Sequence, residues 1–122
     1  MNNVVIKMAV RLLDRKELNL LKKNYAALKL NPEIPLEPLF KFHAEGCCIW
    51  LITHACEDDD TLGGLEYIEG GFPEIKTFSL SELEMAASAP FSLIVERDKE
   101  FVSQGKTIAD FAVELQPIAA IA

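Results

Sequence analysis

The rhythm of apolar and polar positions changes several times along the chain, and each change marks an element. Val4, Ile6, Met8 and Val10 alternate with Val5, Lys7 and Ala9, which predicts a first strand, placed at a sheet edge. Asp14-Arg15-Lys16-Glu17 has the form of a capping box, with Asp14 as N-cap and Glu17 three residues on. Leu18, Leu21, Tyr25 and Leu28 then recur every three or four residues, one apolar stripe on a helix reaching about Ala27–Lys29. Asn31-Pro32 stops that helix, and Pro35 and Pro38 hold the chain extended through Leu39.

Phe40 to Ala55 reads as a hairpin turning at Glu45-Gly46. With a two-residue turn, Ala44 faces Cys47, His43 faces Cys48, Phe42 faces Ile49 and Phe40 faces Leu51. Phe40, Phe42, Ala44, Cys47, Ile49 and Leu51 then share the core face, and Lys41, His43, Cys48, Trp50, Ile52 and His54 the other; a slip of one residue would exchange them. After the acidic connection Glu57-Asp58-Asp59-Asp60, Leu62–Glu69 reads as a strand loosened by Gly63-Gly64, and Gly70-Gly71-Phe72-Pro73 as a turn. Ile75–Phe78 is a strand leading into a second capping box, Ser79-Leu80-Ser81-Glu82, and a helix to about Ala87. Pro90 precedes a strand over Phe91–Val95. Thr107-Ile108-Ala109-Asp110 opens a last helix to about Leu115, which Pro117 ends before an apolar tail. The fold class expected is α+β: a mostly antiparallel sheet of about five strands, one longer N-terminal helix packed on a face, and two short helices at the margins.

The 122 residues suit a single domain, and with half of them hydrophobic they can fill one ordinary core. No apolar window is long enough to span a bilayer. Lys7 interrupts the start of the chain and no convincing cleavage site follows, so strand is preferred to signal peptide. A net charge of −7 argues against general nucleic-acid affinity. The distribution says more. Residues 1–41 carry eight Lys/Arg against four Asp/Glu, and the remainder four against fifteen. The two parts can attract each other within the molecule, or the basic helix at Lys16, Lys22 and Lys23 can meet a partner. Three cysteines, two of them adjacent at Cys47-Cys48 where a mutual bridge is not expected, point to reduced thiols.

Candidate chemistry is sparse. His43, Cys47, Cys48, His54 and Cys56 fall in one short window, but the expected register scatters them, and no C-x-x-C or H-x-x-x-H pair occurs. Asp58-x-Asp60-x-x-Gly63 with Glu69 echoes a calcium loop, yet Leu62 takes a ligand position and the flanks read as strands. No metal and no cofactor are therefore expected. Glu96-Arg97-Asp98 is a charged triplet beside an apolar strand. With His43 it forms the weak catalytic set, and its structural alternative is an arginine paired elsewhere, fixing the strand exit. No G-x-S-x-G, P-loop or G-x-G-x-x-G is present. Trp50 either serves as a binding anchor on the non-core face or packs under the first helix.

The run FSLSELEMAASAPFSLIVERD over Phe78–Asp98, with FHAEGCCIWLITHACEDDDTLGGLEYIEGGFPEIKTFSLSEL upstream, resembles the small bacterial proteins grouped as domain of unknown function 2958. The resemblance covers about Lys41 to Phe111 and extends less clearly to the Asp14 helix. The Cys47-Cys48 pair departs from it, as does His54, where a carboxylate is more usual. It carries no assigned activity. It implies a bacterial cytoplasm and an accessory role for a plasmid or other mobile element. The leading expectation is thus a non-enzymatic protein-binding module without membrane contact. An anti-defence inhibitor is one version, its carboxylates Asp58, Asp59 and Asp60, with Glu57, Glu66 and Glu69, competing for a nuclease's basic channel. The alternatives are a small hydrolase or metal-dependent enzyme using Glu96, Asp98 and His43, and nucleic-acid binding through the basic helix.

Overall fold

In the computed structural model, which describes residues 10–88 and 94–116, the elements follow in the order α1 (Arg15–Leu30), β1 (Phe40–Ala44), β2 (Cys48–Ala55), β3 (Thr61–Ile68), β4 (Glu74–Ser79), α2 (Leu80–Ser88), β5 (Val95–Arg97) and α3 (Ile108–Leu115). Five strands make one antiparallel sheet in the order β4-β3-β2-β1-β5. This is the α+β class the sequence predicts, with one long helix and two short ones. All of the expected strand over Val4–Val10 except Val10 falls outside the described residues, as do the apolar tail and most of Phe91–Val95.

Helix α1 starts where local chemistry requires. The Asp14 side chain accepts from the Glu17 N–H at 2.8 Å, and Glu17 accepts from the Asp14 N–H at 2.9 Å. It ends as the Asn31 N–H bonds the Ala27 carbonyl. Leu18 and Leu21 from its apolar stripe enter a core shared with Phe42, Ala44, Cys48, Trp50, Ile52, Leu62, Leu80, Leu83 and Val95. Full burial of a leucine such as Leu21 contributes about 2 kcal/mol.

The hairpin register differs from the expectation by one residue. Ala44 pairs with Cys48, His43 with Ile49, Phe42 with Trp50 and Phe40 with Ile52. Gly46 adopts φ +71° and Cys47 joins the turn, which becomes three residues long. Because side chains alternate, that one added residue exchanges both faces of β2. Cys48, Trp50 and Ile52 enter the core beneath α1, while Ile49 and Leu51 turn to the opposite face. Leu51 is buried there against its partner Leu65, and α3 lies against β3. The Leu39 N–H donates to the Ile52 carbonyl and the Ile108 N–H to the Leu36 carbonyl, which ties the proline-rich segment to the sheet and to α3.

Between Ile52 and His54 the β2–β3 register shifts, leaving Thr53 as the extra residue. Asn24 of α1 donates to the Thr53 carbonyl at 2.8 Å, and the Thr53 hydroxyl donates to the Gly63 carbonyl at 3.1 Å. The His54 ring lies over Gly63 and stacks on Tyr25 of α1, with centroids 5.9 Å apart. The adjacent Gly64 has φ +155°, and a Cβ there would overlap the Leu51 carbonyl oxygen. Gly64→Ala is therefore expected to lower unfolding stability by about 2 kcal/mol or more, read as a fall in the urea midpoint. An unchanged midpoint would contradict so close an approach of the two strands.

Candidate functional site

The acidic connection between β2 and β3 is the longest run of like charge in the chain, and each of its carboxylates has a partner within the molecule. Asp58 accepts from the Thr61 hydroxyl at 2.7 Å, the Thr61 N–H at 2.8 Å and the Asp60 N–H at 3.0 Å. These donors, Thr61 foremost, hold its carboxyl down at about 2. Asp59, in the left-handed region at φ 59°, pairs with Lys22 and Arg15 of α1, which lower its proton affinity in that order. Asp60 accepts from the Ser81 N–H at 2.8 Å and the Ser79 hydroxyl at 2.9 Å, and its carbonyl accepts from the Leu80 N–H. The Ser81 amide is the first cause of its depressed proton affinity. Glu57 pairs with Lys29 at 2.6 Å; the pairing lowers the proton affinity of Glu57 and raises that of Lys29.

Asp60 also changes the expected cap of α2. The Ser79 hydroxyl accepts from the Glu82 N–H at 3.2 Å as predicted, but the second partner at this helix start is Asp60, not a Glu82 side chain folded back. A carboxylate is well placed at a helix start, where unpaired N–H groups carry partial positive charge. The calcium-like spacing has no matching site. Asp58 and Asp60 serve the turn and the cap, and Gly63 lies within β3. Among the described residues, no group of three or more His, Cys, Asp or Glu side chains is arranged to hold a metal.

Glu96-Arg97-Asp98 divides between the two faces. Arg97 turns towards α1, pairs with Glu17, reaches the Leu12 carbonyl at 3.4 Å and sets its guanidinium 4.7 Å from the Phe40 ring centroid. Glu96 stands directly across the ladder from His43, with no hydrogen bond between the two side chains. Asp98 lies 3.7 Å from Lys41 and donates its N–H to the Lys41 carbonyl. His43, Lys41 and Asp98 line a shallow pocket of about 550 Å³ together with Ile49, Tyr67 and Glu69. Ile49 and Tyr67 were missed from sequence, because the assumed register turned Ile49 into the core.

Of the two places open to Trp50, the structure shows the one under the first helix, in the core. It lies on the core face, 6% exposed, and donates from Nε1 to Glu66 at 3.0 Å. Glu66 in turn lies 3.4 Å from Lys76. The three-residue turn explains the change of face. The sulfurs of the adjacent Cys47 and Cys48 lie against each other at the hairpin turn. Cys56 is free and half-buried. Burial lowers the proton affinity of His54. On α1, Lys22 is engaged by Asp59, while Lys16 and Lys23 remain exposed.

Several large apolar side chains are exposed at the margin of the sheet. Around the β3–β4 connection, Ile68 is 54% exposed, Phe72 72% and Ile75 62%. Ile75 lies on β4, which among the described residues pairs only with β3; the ladder sets Ile75 beside Leu65 on one face of the sheet and Ile68 beside Cys48 on the other. A signal was present in sequence: a phenylalanine in a Gly-Gly-Phe-Pro turn has few routes to a core. Among the described residues, no helix is long and apolar enough to cross a membrane.

The Arg97–Glu17 pair gives the most decisive local test. Glu17→Gln keeps an acceptor for the helix cap while removing the charge, and Arg97→Met keeps the apolar stem over Phe40. Each single variant is expected to lose about 1–3 kcal/mol, and the double variant less than their sum by about 1–2 kcal/mol in a denaturation cycle. Additive losses would mean that the pair does not couple.

No curated protein and no solved structure matches the chain. One family model does, over residues 12–119, nearly the whole length, and its description is protein of unknown function (DUF2958). The shared length takes in the Asp14 cap, the whole sheet, the α2 start and the Arg97 strand, and on that match the chain belongs to the DUF2958 family of proteins of unknown function.

Proposed function

We propose that this protein is a non-enzymatic accessory module that acts by binding another protein. The observation that carries this reading is the exposed Ile75 and Phe72 at β4, a strand whose far edge is unpaired among the described residues, with Ile68 exposed on the other face of the sheet. Exposed apolar side chains next to unpaired strand amides are a recurrent form of protein-contact surface. The charged groups offer less. Asp58, Asp59 and Asp60 are satisfied within the molecule, which weakens the version in which they compete for a nuclease's basic channel. The family resemblance supplies the proposed setting, a mobile element in a bacterial cytoplasm.

The hydrolase alternative draws on the His43–Glu96 juxtaposition at the edge of the sheet. It has the weaker support, since Arg97 faces away and Asp98 is occupied by Lys41. Nucleic-acid binding through α1 is weakened in the same way, because Asp59 takes up Arg15 and Lys22.

Capture from the native host tests the proposal. Tagged wild-type protein is expected to retain a specific partner, and Phe72→Ser with Ile68→Ser is expected to reduce retention at least about tenfold, the loss expected when anchor side chains leave an interface. Equal retention by wild type and variant, with both folded, would count against this surface as the contact. Retained partner with His43→Ala is the expected control, because His43 lies outside the surface.

A further inference from the structure

We propose that β4 pairs with β4 of a second copy, so that two five-stranded sheets join into one across a twofold axis at Ile75. The inference rests on the binding reading above and names the partner. Its first support is the direction of the backbone groups. The Leu80 N–H donates to the Asp60 carbonyl, and the β3–β4 register runs without a shift from Thr61↔Ser79 to Glu66↔Glu74. In an antiparallel ladder the bonded pairs alternate. Phe78, Lys76 and Glu74 therefore turn their amides towards β3, and Ile75 and Thr77 present theirs to the open edge.

Outward groups pair only with outward groups, which restricts a symmetric β4–β4 contact to a few registers. A twofold at Lys76 sets Lys76 against Lys76, two like charges directly opposed. A twofold at Thr77 sets Glu74 against Leu80. A twofold at Ile75 sets Ile75 against Ile75 and, twice over, Glu74 against Lys76. That register alone joins the exposed apolar residue to itself and matches opposite charges. It also brings Phe72 of each copy opposite Phe78 of the other. Pro73 falls opposite Thr77, where its carbonyl accepts the Thr77 N–H and its missing N–H bounds the ladder. The contact is self-complementary, as a twofold interface must be.

The test uses the full chain in a sedimentation series over concentration. Wild type is expected to approach twice the 13.6 kDa chain mass. Thr77→Pro removes an outward donor and spares the β3 ladder, and Ile75→Lys places like charges on the axis; both are expected to be monomeric with unchanged far-UV spectra. A register test stands beside them and needs no disruptive variant. Ile75→Cys is expected to form a covalent dimer under mild oxidant, and Thr77→Cys is not. A dimer that survives both Thr77→Pro and Ile75→Lys would overturn the inference, as would crosslinking at Thr77→Cys but not at Ile75→Cys. A wild type that is monomeric throughout also overturns it. If that monomer still captures a host protein through Phe72 and Ile68, the binding reading stands and only the identity of the partner has failed.

Discussion

Four carboxylates in succession repel one another, and cations and hydrogen-bond donors within the fold offset that repulsion at Glu57–Asp60. Here each finds its own. Lys29 takes Glu57, the Thr61 hydroxyl and amide take Asp58, Lys22 and Arg15 take Asp59, and the start of α2 takes Asp60. The loop thus touches both helices that cover the core face of the sheet. The contrast between a basic N-terminal third and an acidic remainder is in large part the chemistry of this junction. Surface ion pairs taken singly contribute little. Their weight here lies in sharing one short loop, whose turn is already closed by Asp58.

Arg97 does at the other side of the sheet what the acidic loop does at its end. It leaves the short edge strand β5, crosses Phe40 and meets Glu17 in the first turn of α1. Glu17 also completes the helix cap. One side chain therefore joins the start of the helix to the edge of the sheet. With both ends of α1 and the start of α2 held by charge, the apolar positions Leu18, Leu21, Leu80 and Leu83 are brought over Trp50 and Ile52. Among the described residues, what remains free is the opposite edge, β4, with Ile75 exposed upon it.

Local signals were legible in the sequence. The Asp14, Ser79 and Thr107 starts each appear as a helix N-terminus, because a cap depends on residues three apart. The α+β class followed from those starts and from the strand runs between them. The hairpin register did not, because it turns on whether Gly46 closes a turn of two residues or three, and alternation cannot decide that. Trp50 and Ile49 exchanged faces as a result. Partner choice was equally hidden. Nothing near Arg97 in sequence names Glu17, and nothing near Asp60 names Ser81; those pairs exist because the sheet brings distant segments together.

The carboxylates of the acidic loop are engaged within the fold. Carboxyl NMR titration of the folded protein measures this directly. Asp58, Asp59 and Asp60 are all expected to titrate below the ordinary aspartate range, with Asp58 near about 2. Groups depressed on folding contribute stability that is fully present above their unfolded pKa and lost as pH falls through the folded value. Stability is therefore expected to fall as these residues take up protons. Ordinary titration near about 4 for all three, with the fold intact below that pH, would mean that the loop is free in solution and would contradict the account.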